Sequence, residues 1–405
     1  MQKLFFGGVH PADKKELTKT KKLISLKSTK QVIIPLKQHI GVSCKPLVKP
    51  GDQVAIGQKI GDNEGLCVPV HASVSGKVTA VEPRLHPGGG EVLSIVIEND
   101  FKESLYDKIA PHPAPERLSF EELVWMIREA GLVGMGGATF PTEKKAISSQ
   151  NKVDTLLING CECEPYITAD DVLMMSEPER VLGGIRLLGQ ALKPEKIILA
   201  MEDNKKEAAN ILKKYLEKYP EITLKILPTR YPQGAEKQLI KAVTGREVPP
   251  GKLPADVACT VFNVSTAAAV YQAVYEGMPL VRRIVTVTGE GVKEPQNMLV
   301  PIGTPFSMLV EAAGGLTEEA DKVIAGGPMM GKAQESLDVP VVKGTGAILC
   351  LTKEKEVKHT ACIRCGKCLA VCPVNLQPLY LYRYGKTKNL AMLEQYHLMD
   401  CMECG

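Results

Sequence analysis

The 405-residue chain carries 50 Lys and Arg against 46 Asp and Glu, and this net charge of +4 is too small to favour nucleic acid as a partner. One Trp and 5% aromatic residues also argue against base stacking, and neither a signal peptide nor an apolar run of membrane-spanning length is evident. The length predicts two or three domains. The twelve cysteines show no disulfide pattern and suit a reducing compartment.

The N-terminal part of the chain predicts short β-strands. Residues 1–30 are Lys-rich and are expected to be irregular, whereas short apolar runs alternate with Gly and Pro turns from residue 31 to 110. The patterns KPGDQVAIGQ (49–58) and SGKV (75–78) resemble the barrel-sandwich hybrid fold of biotinyl and lipoyl carriers. Such carriers hold a modifiable Lys at a hairpin tip, and the corresponding tip near residues 62–65 has none. We therefore interpret this domain as structural.

Residues 116–282 alternate between strand and helix patterns, which predicts an α/β domain. Ser119 and Glu122 form a capping box that predicts a helix start. The stretch GLVGMGGATFPTEKK (131–145) is rich in glycines whose backbone N–H groups could cradle a phosphate, with a Lys nearby. Taken alone, this loop is weak evidence, because a Gly-rich turn is usually only a turn.

Polar residues follow a buried strand of the same domain. The strand pattern TLLI (155–158) leads into NGCECEP (159–165), and open α/β sheets bind ligands at the carboxyl ends of their strands. Asn263 is predicted to open a later helix. Residues 283–352 return to short strands with Gly turns and predict a small α+β domain, in which the methionines of the loop 326–331 are expected to pack rather than to contact a cofactor.

The C-terminal cysteines have the spacing of a bacterial ferredoxin. The run CIRCGKCLAVCP (362–373) supplies four thiolates for a 4Fe–4S cube, and a second run begins at CMEC (401–404). A zinc knuckle would usually split into two CxxC hairpins, and a disulfide knot would suit a small secreted domain. In two-cluster ferredoxins the fourth Cys of each run ligates the other cluster. The predicted metal ligands therefore fall into two sets, Cys362, Cys365 and Cys368 in one and Cys372, Cys401 and Cys404 in the other. Two further cysteines would complete eight, so the module is expected to be incomplete at its C-terminus.

Four segments in the chain occur in the order found in a known family. GMGGATFPTEKK, NGCECEPYITADD, YPQGAEKQ and FNVSTA resemble motifs of the flavin- and NADH-binding subunit of respiratory complex I. The N-terminal FFGGVHP, the barrel-sandwich patterns and the ferredoxin runs make the whole chain resemble the C subunit of the Rnf complexes. These are membrane-bound ferredoxin:NAD oxidoreductases that pump Na+ or H+.

The resemblance implies a multidomain α/β and α+β fold with five parts. These are an N-terminal segment (1–30), a barrel-sandwich hybrid domain (31–110), a Rossmann-like flavin- and NADH-binding α/β domain (116–282), a β-grasp soluble-ligand-binding domain (283–352) and a ferredoxin-like 4Fe–4S module (353–405).

The resemblance also implies the site residues. Glu162 is expected to act at the stack of nicotinamide and flavin as the catalytic residue. The residues expected to bind cofactor are Gly134, Gly136, Gly137, Lys145, Asn159, Glu162, Gly234, Glu236, Asn263 and Thr266. Cys161 and Ala235 stand where the complex I subunit has acids.

The implied function is an electron-transfer subunit that exchanges hydride with NAD(H) at FMN and single electrons with two 4Fe–4S clusters. Its implied partners are the other subunits of the Rnf complex and, through them, ferredoxin, with a peripheral location on the cytoplasmic face of the membrane. Two alternatives remain open at this point. One is an iron–sulfur scaffold that has lost its flavin, motivated by Cys161 and Ala235. The other is the flavin subunit of a soluble NAD-dependent hydrogenase, against which the barrel-sandwich domain argues.

Overall fold

The computed structural model describes residues 5–26, 29–353 and 360–405. Residues 1–4 and 27–28 of the predicted N-terminal segment and residues 354–359 of the predicted 4Fe–4S module lie outside this description. None of the helices within the described ranges is both long and apolar enough to cross a membrane.

The N-terminal segment contains a strand, and the prediction that it is irregular is wrong there. Strand β1 (Ile24–Ser25) pairs in parallel with residues 298–299 of the small α+β domain. The hydrophobic Phe5 is buried with the core of the α/β domain. The segment therefore contacts two domains, because its apolar residues are separated widely enough to reach both.

The N-terminal β domain consists of two antiparallel sheets. Their strands are β2 (Gln31–Pro35), β3 (Lys45–Pro46), β4 (Gln53–Val54), β5 (Lys59–Asp62), β6 (Val70–His71), β7 (Gly76–Leu85) and β8 (Glu91–Asn99). One sheet has the order β2–β8–β7–β4 and the other has the order β3–β5–β6. Many short strands with Gly turns were predicted here, and the structure confirms them.

The α/β domain is built on a four-stranded parallel sheet. Its elements are α1 (Phe120–Glu129), α2 (Thr142–Ser149), β9 (Thr155–Gly160), α3 (Ala169–Ser176), α4 (Pro178–Leu192), β10 (Lys196–Glu202), α5 (Lys206–Tyr215), β11 (Ile222–Leu227), α6 (Glu236–Thr244), β12 (Cys259–Asn263) and α7 (Val264–Tyr271). The predicted capping box of Ser119 and Glu122 opens α1.

Both faces of this parallel sheet are buried. Leu156 and Ile158 of β9 belong to one hydrophobic core, and Leu157 between them belongs to another that contains Phe5. On the first face α4 packs closely against α7, since a Cβ at Gly184 would lie only 1.8 Å from the carbonyl oxygen of Ala267. This close contact fixes the position of α7 and of the residues at its N-terminus.

The small α+β domain has a mixed sheet with β1 at one edge. Its elements are β13 (Arg282–Thr288), β14 (Gln296–Pro301), α8 (Phe306–Ala312), β15 (Ala320–Ala325), β16 (Lys332–Gln334) and β17 (Ala347–Thr352). The sheet order is β1–β14–β13–β17–β15–β16, with β13 parallel to β17. The C-terminal cysteine module, described from residue 360, contains the short helices α9 (Lys367–Val371), α10 (Pro378–Lys386) and α11 (Leu390–Gln395).

Candidate functional site

The carboxyl ends of β9 and β12 form the centre of the candidate site. Asn159 and Asn263, the two predicted asparagines, are direct register partners on these neighbouring parallel strands. From β9 the chain continues outward through β10 and β11 and then returns to β12 on the other side of β9. At such a switch point the connections diverge and leave a crevice, which is where open α/β sheets bind ligands.

The glycine loop lies over the end of β12. The backbone N–H of Met135 donates to Thr266 Oγ1 at 3.0 Å, and a Cβ at Gly136 would lie 3.4 Å from the Cβ of Asn263. Gly137 has a φ of +125°, which favours glycine, and a Cβ there would meet no atom within 4 Å. The structure thus brings the predicted loop glycines together with Asn263 and Thr266.

A second group of predicted residues lies along the same sheet edge. Asn159 Nδ2 donates to the carbonyl oxygen of Gly234 at 2.7 Å. Lys145 Nζ donates to Glu236 Oε1 at 2.6 Å and to the carbonyl oxygen of Val261 at 3.1 Å. The ammonium group of Lys145 is therefore already paired with one of the other predicted site residues.

Glu162 follows β9, but its carboxylate turns toward α3. Its side chain is only 6% exposed, and its two oxygens accept hydrogen bonds from the backbone N–H of Asp170 at 2.7 Å and of Asp171 at 3.3 Å. A carboxylate in this position stabilises the first turn of the helix. Burial raises the pKa of Glu162 to about 8. Its role at the nicotinamide stays a prediction.

Asp170 connects this helix start to the end of β12. Its carboxylate accepts from Asn263 Nδ2 at 2.7 Å and from Ser265 Oγ at 2.5 Å, while Asn263 Oδ1 accepts from the backbone of Ser265 at 2.8 Å and caps α7. The predicted helix start at Asn263 is confirmed. Sequence reasoning did not assign Asp170 to the site.

Two buried lysines hold the loop that follows β9, and sequence reasoning missed both. Lys15 Nζ donates to the carbonyl oxygens of Glu162 at 2.8 Å and Glu164 at 3.0 Å, and also to that of Ile167. Lys205 Nζ donates to the carbonyl oxygen of Cys161 at 2.5 Å. Burial lowers the pKa of Lys15, and the positive charge of Lys205 lowers it further.

Arg283 of β13 is a third cation that sequence reasoning missed. Its side chain is buried, Nε donates to the carbonyl oxygen of Thr345 at 3.2 Å, and Nη2 lies 3.5 Å from the carbonyl oxygen of Met135 in the glycine loop. Within the described part of the chain, Nη1 has no hydrogen-bond partner. Burial lowers the pKa of Arg283 to about 10, so the guanidinium stays charged at neutral pH.

The last acidic residue of the NGCECEP segment binds the small α+β domain. Glu164 accepts hydrogen bonds from the backbone N–H groups of Met329 at 3.1 Å and Met330 at 2.8 Å. The loop 326–331 is therefore held against the candidate site through its backbone. Met330 itself is exposed, so packing does not account for its side chain.

The C-terminal cysteines differ in their surroundings. Cys372 and Cys404 are partly buried, whereas Cys362, Cys365, Cys368 and Cys401 are exposed. Burial raises the pKa of Cys404, and the nearby thiols of Cys372 and Cys401 raise it further. Cys372 and Cys401 therefore each lie close enough to Cys404 to interact with it electrostatically.

The cysteine module packs against the N-terminal segment and the α/β domain. Gly8 N donates to the carbonyl oxygen of Val371 at 2.8 Å, Val9 pairs with Tyr231, and the Tyr231 hydroxyl donates to the carbonyl oxygen of Cys404. Tyr231 lies three residues before Gly234, which contacts Asn159. One loop therefore connects the cysteines to the candidate site.

Three family models match separate parts of the chain. The RnfC barrel sandwich hybrid domain matches residues 3–102, the Nuo51 FMN-binding domain matches residues 127–272, and the SLBB domain matches residues 284–333. The fold is thus a mixed α/β multidomain fold with these three domains in this order.

Curated relatives match nearly the whole chain. The C subunit of the Na(+)-translocating ferredoxin:NAD(+) oxidoreductase complex of Acetobacterium woodii is 47% identical over 98% of this chain and 90% of its own length. The C subunit of the proton-translocating complex of Clostridium ljungdahlii is 45% identical over 99% of this chain and 88% of its own length. The chain belongs to the RnfC family. It is an electron-transfer subunit of an oxidoreductase.

More distant RnfC proteins are longer. The protein from Vibrio cholerae O395 is 40% identical over 98% of this chain, which spans 52% of that relative. A solved NAD+-reducing [NiFe]-hydrogenase in its H2-reduced state is 23% identical, with a TM-score of 0.50 over 59% of this chain and 48% of that chain. At this identity the hydrogenase shares the fold alone, and the Rnf relatives decide the family against the hydrogenase alternative.

Replacing Lys15 tests the attachment of the loop after β9. We expect Lys15→Ala to lower the free energy of unfolding by roughly 3–5 kcal/mol, because buried carbonyls lose a charged donor. Lys14→Ala is the matched control, since Lys14 is 43% exposed and lies 3.3 Å from Glu290; its loss should cost at most about 1 kcal/mol. Denaturant unfolding measures both, and equal losses would contradict the anchoring role of Lys15.

Proposed function

We propose that the chain binds FMN and NAD(H) in the crevice between β9 and β12 and exchanges electrons with two 4Fe–4S clusters of the C-terminal module. The observation that carries this proposal is the meeting of the glycine loop, Asn159 and Asn263 at the switch point of the parallel sheet. The match of residues 127–272 to the Nuo51 FMN-binding domain supports the same location.

The residues present fit a phosphate-bearing cofactor. Gly137 leaves open space where a side chain would extend, and the unpartnered Nη1 of buried Arg283 is suited to an anion. We assign Gly134, Gly136 and Gly137 to the cofactor cradle, with Lys145 and Arg283 as its cations. When bound, a flavin accepts hydride from a nicotinamide and passes single electrons to iron–sulfur clusters.

The remaining site residues orient and surround the cofactor. Asn159 and Gly234 border the crevice on the β9 side, and Asn263 and Thr266 border it beneath the glycine loop. Glu236 pairs with Lys145, which also bonds the backbone of Val261 in β12. Glu162 holds the N-terminus of α3 and, in this proposal, positions the nicotinamide through that helix and Asp170.

The strand orders support the finer fold assignments. The order β11–β10–β9–β12 is the 3-2-1-4 order of a Rossmann-like sheet. In the small domain, the β13–β14 hairpin, the helix α8 and the central parallel pair β13–β17 support a β-grasp fold. We retain 31–110, 116–282, 283–352 and 353–405 as the proposed domain bounds, and the N-terminal segment 1–30 as a connecting element.

The two proposed clusters follow the crossed ligand pattern. Cys372, Cys401 and Cys404 hold one cluster, and Cys362, Cys365 and Cys368 contribute to the other. The interaction of Cys404 with Cys372 and Cys401 supports the first set. Because Tyr231 contacts Cys404, these three cysteines would hold the cluster nearer the crevice, and that cluster would be the one to exchange electrons with a bound flavin.

The proposed partners follow from the family. We propose that the chain docks on the other subunits of an Rnf complex at the cytoplasmic face of the membrane, exchanges electrons with ferredoxin through them, and binds no nucleic acid. The second candidate function is an iron–sulfur scaffold without flavin, which Cys161 and Ala235 favour because they replace acids of the complex I subunit.

A flavin titration separates these two functions. We expect FMN to bind the wild-type chain, and Arg283→Met and Lys145→Ala each to weaken binding by roughly 1.5–3 kcal/mol, or about 10- to 150-fold. Arg283→Met should have the larger effect, because Glu236 already pairs with Lys145. Lys144→Ala is the control and should leave FMN affinity unchanged. Absence of FMN binding to the wild-type chain would favour the scaffold.

Glu162→Gln tests the role of this carboxyl group in two ways. We expect slower NADH-dependent reduction of a dye in stopped-flow, with unchanged iron content. We also expect a flatter dependence of the unfolding free energy on pH. Burial raises the folded-state pKa of Glu162 to about 8, so its stabilising contribution is complete below its unfolded-state pKa of about 4.3 and is lost as the pH rises through 8.

The wild-type chain should therefore lose stability as the pH rises within that window, and Glu162→Gln should lose less. Glu247→Gln, which removes a carboxylate that is 75% exposed, controls for the change in net charge. Dye reduction at the wild-type rate in Glu162→Gln would show that Glu162 only caps α3.

Single cysteine variants test the crossed ligand sets. In EPR spectra of the reduced protein, Cys372→Ala and Cys404→Ala should weaken the signal of the same cluster, and Cys365→Ala should weaken the other. The reason is that each cluster loses a thiolate only when a member of its own set is removed. If Cys372→Ala instead gave the spectrum of Cys365→Ala, the four cysteines of the first run would ligate a single cluster.

A further inference from the structure

Three potential metal ligands meet in the N-terminal β domain, far along the chain from the ferredoxin cysteines. His39 and Cys44 lie on the loop between β2 and β3, and Cys67 lies on the loop between β5 and β6. All three are buried, with exposures of 5%, 5% and 0%. Their donor atoms lie within 4.8 Å of one another.

The distances between these donor atoms match the edges of a zinc tetrahedron. Cys44 Sγ and Cys67 Sγ are 3.5 Å apart, and Cys67 Sγ lies 3.6 Å from His39 Nε2. Bonds of about 2.3 Å to sulfur and about 2.0 Å to nitrogen give tetrahedral edges of roughly 3.8 Å between sulfurs and roughly 3.5 Å between sulfur and nitrogen. These two edges match, and the donor atoms of Cys44 and His39 lie within 4.8 Å of each other. A Zn2+ ion could therefore bind all three after side-chain movements of about an ångström.

A fourth potential metal ligand, a backbone oxygen, lies beside the two thiols. The carbonyl oxygen of Val68 accepts from both thiols and lies 3.3 Å from Cys44 Sγ and 3.8 Å from Cys67 Sγ. An oxygen ligand at about 2.1 Å would have sulfur–oxygen edges of roughly 3.6 Å. When both thiols lose their protons, this oxygen loses its donors and becomes available to the metal.

The histidine is oriented as metal-binding histidines are. His39 Nδ1 lies 3.1 Å from the carbonyl oxygen of Ile40, which places the proton on Nδ1 and leaves Nε2 facing the two sulfurs. The backbone N–H of Val68 makes a long hydrogen bond to Nε2, at 3.3 Å. Binding a metal would replace that contact with a stronger one.

We propose that His39, Cys44 and Cys67, with the carbonyl oxygen of Val68, bind a structural Zn2+ ion. Binding converts two thiols into thiolates and releases two protons to solvent. One Zn2+ with two thiolates is neutral, so binding adds no net charge to the buried site. The ion links the two loops, and the His39 loop also contacts the glycine loop through Ile40 N and the carbonyl oxygen of Thr139, 3.3 Å apart.

Zinc analysis of the iron–sulfur-loaded chain, after washing with a weak chelator, tests this proposal. We expect about one zinc per chain in wild type and in Cys350→Ala, which removes a buried thiol of the small α+β domain. We expect zinc to fall at least tenfold in Cys44→Ala and in His39→Gln, with iron content unchanged. Unchanged zinc in both variants would overturn the proposal.

X-ray absorption at the zinc edge of the wild-type chain tests the same site without a variant that could misfold. We expect two sulfur ligands at about 2.3 Å and two nitrogen or oxygen ligands at about 2.0–2.1 Å. Four sulfur ligands would place the zinc in the ferredoxin cysteines and overturn the proposal. The proposal would also be overturned if the wild-type chain contained no zinc and thiol counting found Cys44 and Cys67 joined as a disulfide.

Discussion

The hydrogen bonds from buried lysines to the loop after β9 are the constraint on which the candidate site depends. Each carbonyl group that is buried without a hydrogen-bond donor destabilises the folded state by about 1–3 kcal/mol. A loop that leaves a sheet edge and then enters a helix contains several such carbonyl groups. Lys15 supplies donors to three of them and Lys205 to a fourth. With the loop fixed, Glu162 can accept from the first turn of α3, and Asp170 on that helix can reach Asn263.

Lys15 also explains why the N-terminal segment is important to the domains around it. The segment places Lys15 in the site, β1 on the sheet of the small domain and Gly8 beside Val371 of the cysteine module. These contacts hold three parts of the molecule in a defined arrangement. The proposed electron transfer between a flavin and a cluster would require such fixed placement, because neither group could approach the other by diffusion within one chain.

Features defined by neighbouring residues could be predicted from the sequence. The capping box at Ser119, the polar end of β9 and the helix start at Asn263 depend on residues a few positions apart, and the structure contains all three. Lys15 and Arg283 were missed because their partners lie far along the chain, 147 residues away for Lys15 and 62 and 148 residues away for Arg283, and an isolated basic residue carries no local signal. The side chain of Glu162 was predicted in the right loop, but its direction depends on α3, whose placement requires tertiary packing.

The replacement of an acid by Cys161 is consistent with the charge balance of the buried site. Burial and the negative charge of Glu202 raise the pKa of Cys161 well above its usual value, so the thiol is neutral. Lys205 lies 3.7 Å from Glu202 and has one carboxylate partner already. A further buried carboxylate at position 161 would need another cation, and burying an unpaired charge is costly. The crevice nevertheless keeps the glycine loop and both asparagines, and Arg283 beside the glycine loop has an unpartnered guanidinium nitrogen. The loss of one acidic contact therefore does not remove the groups suited to a phosphate-bearing cofactor.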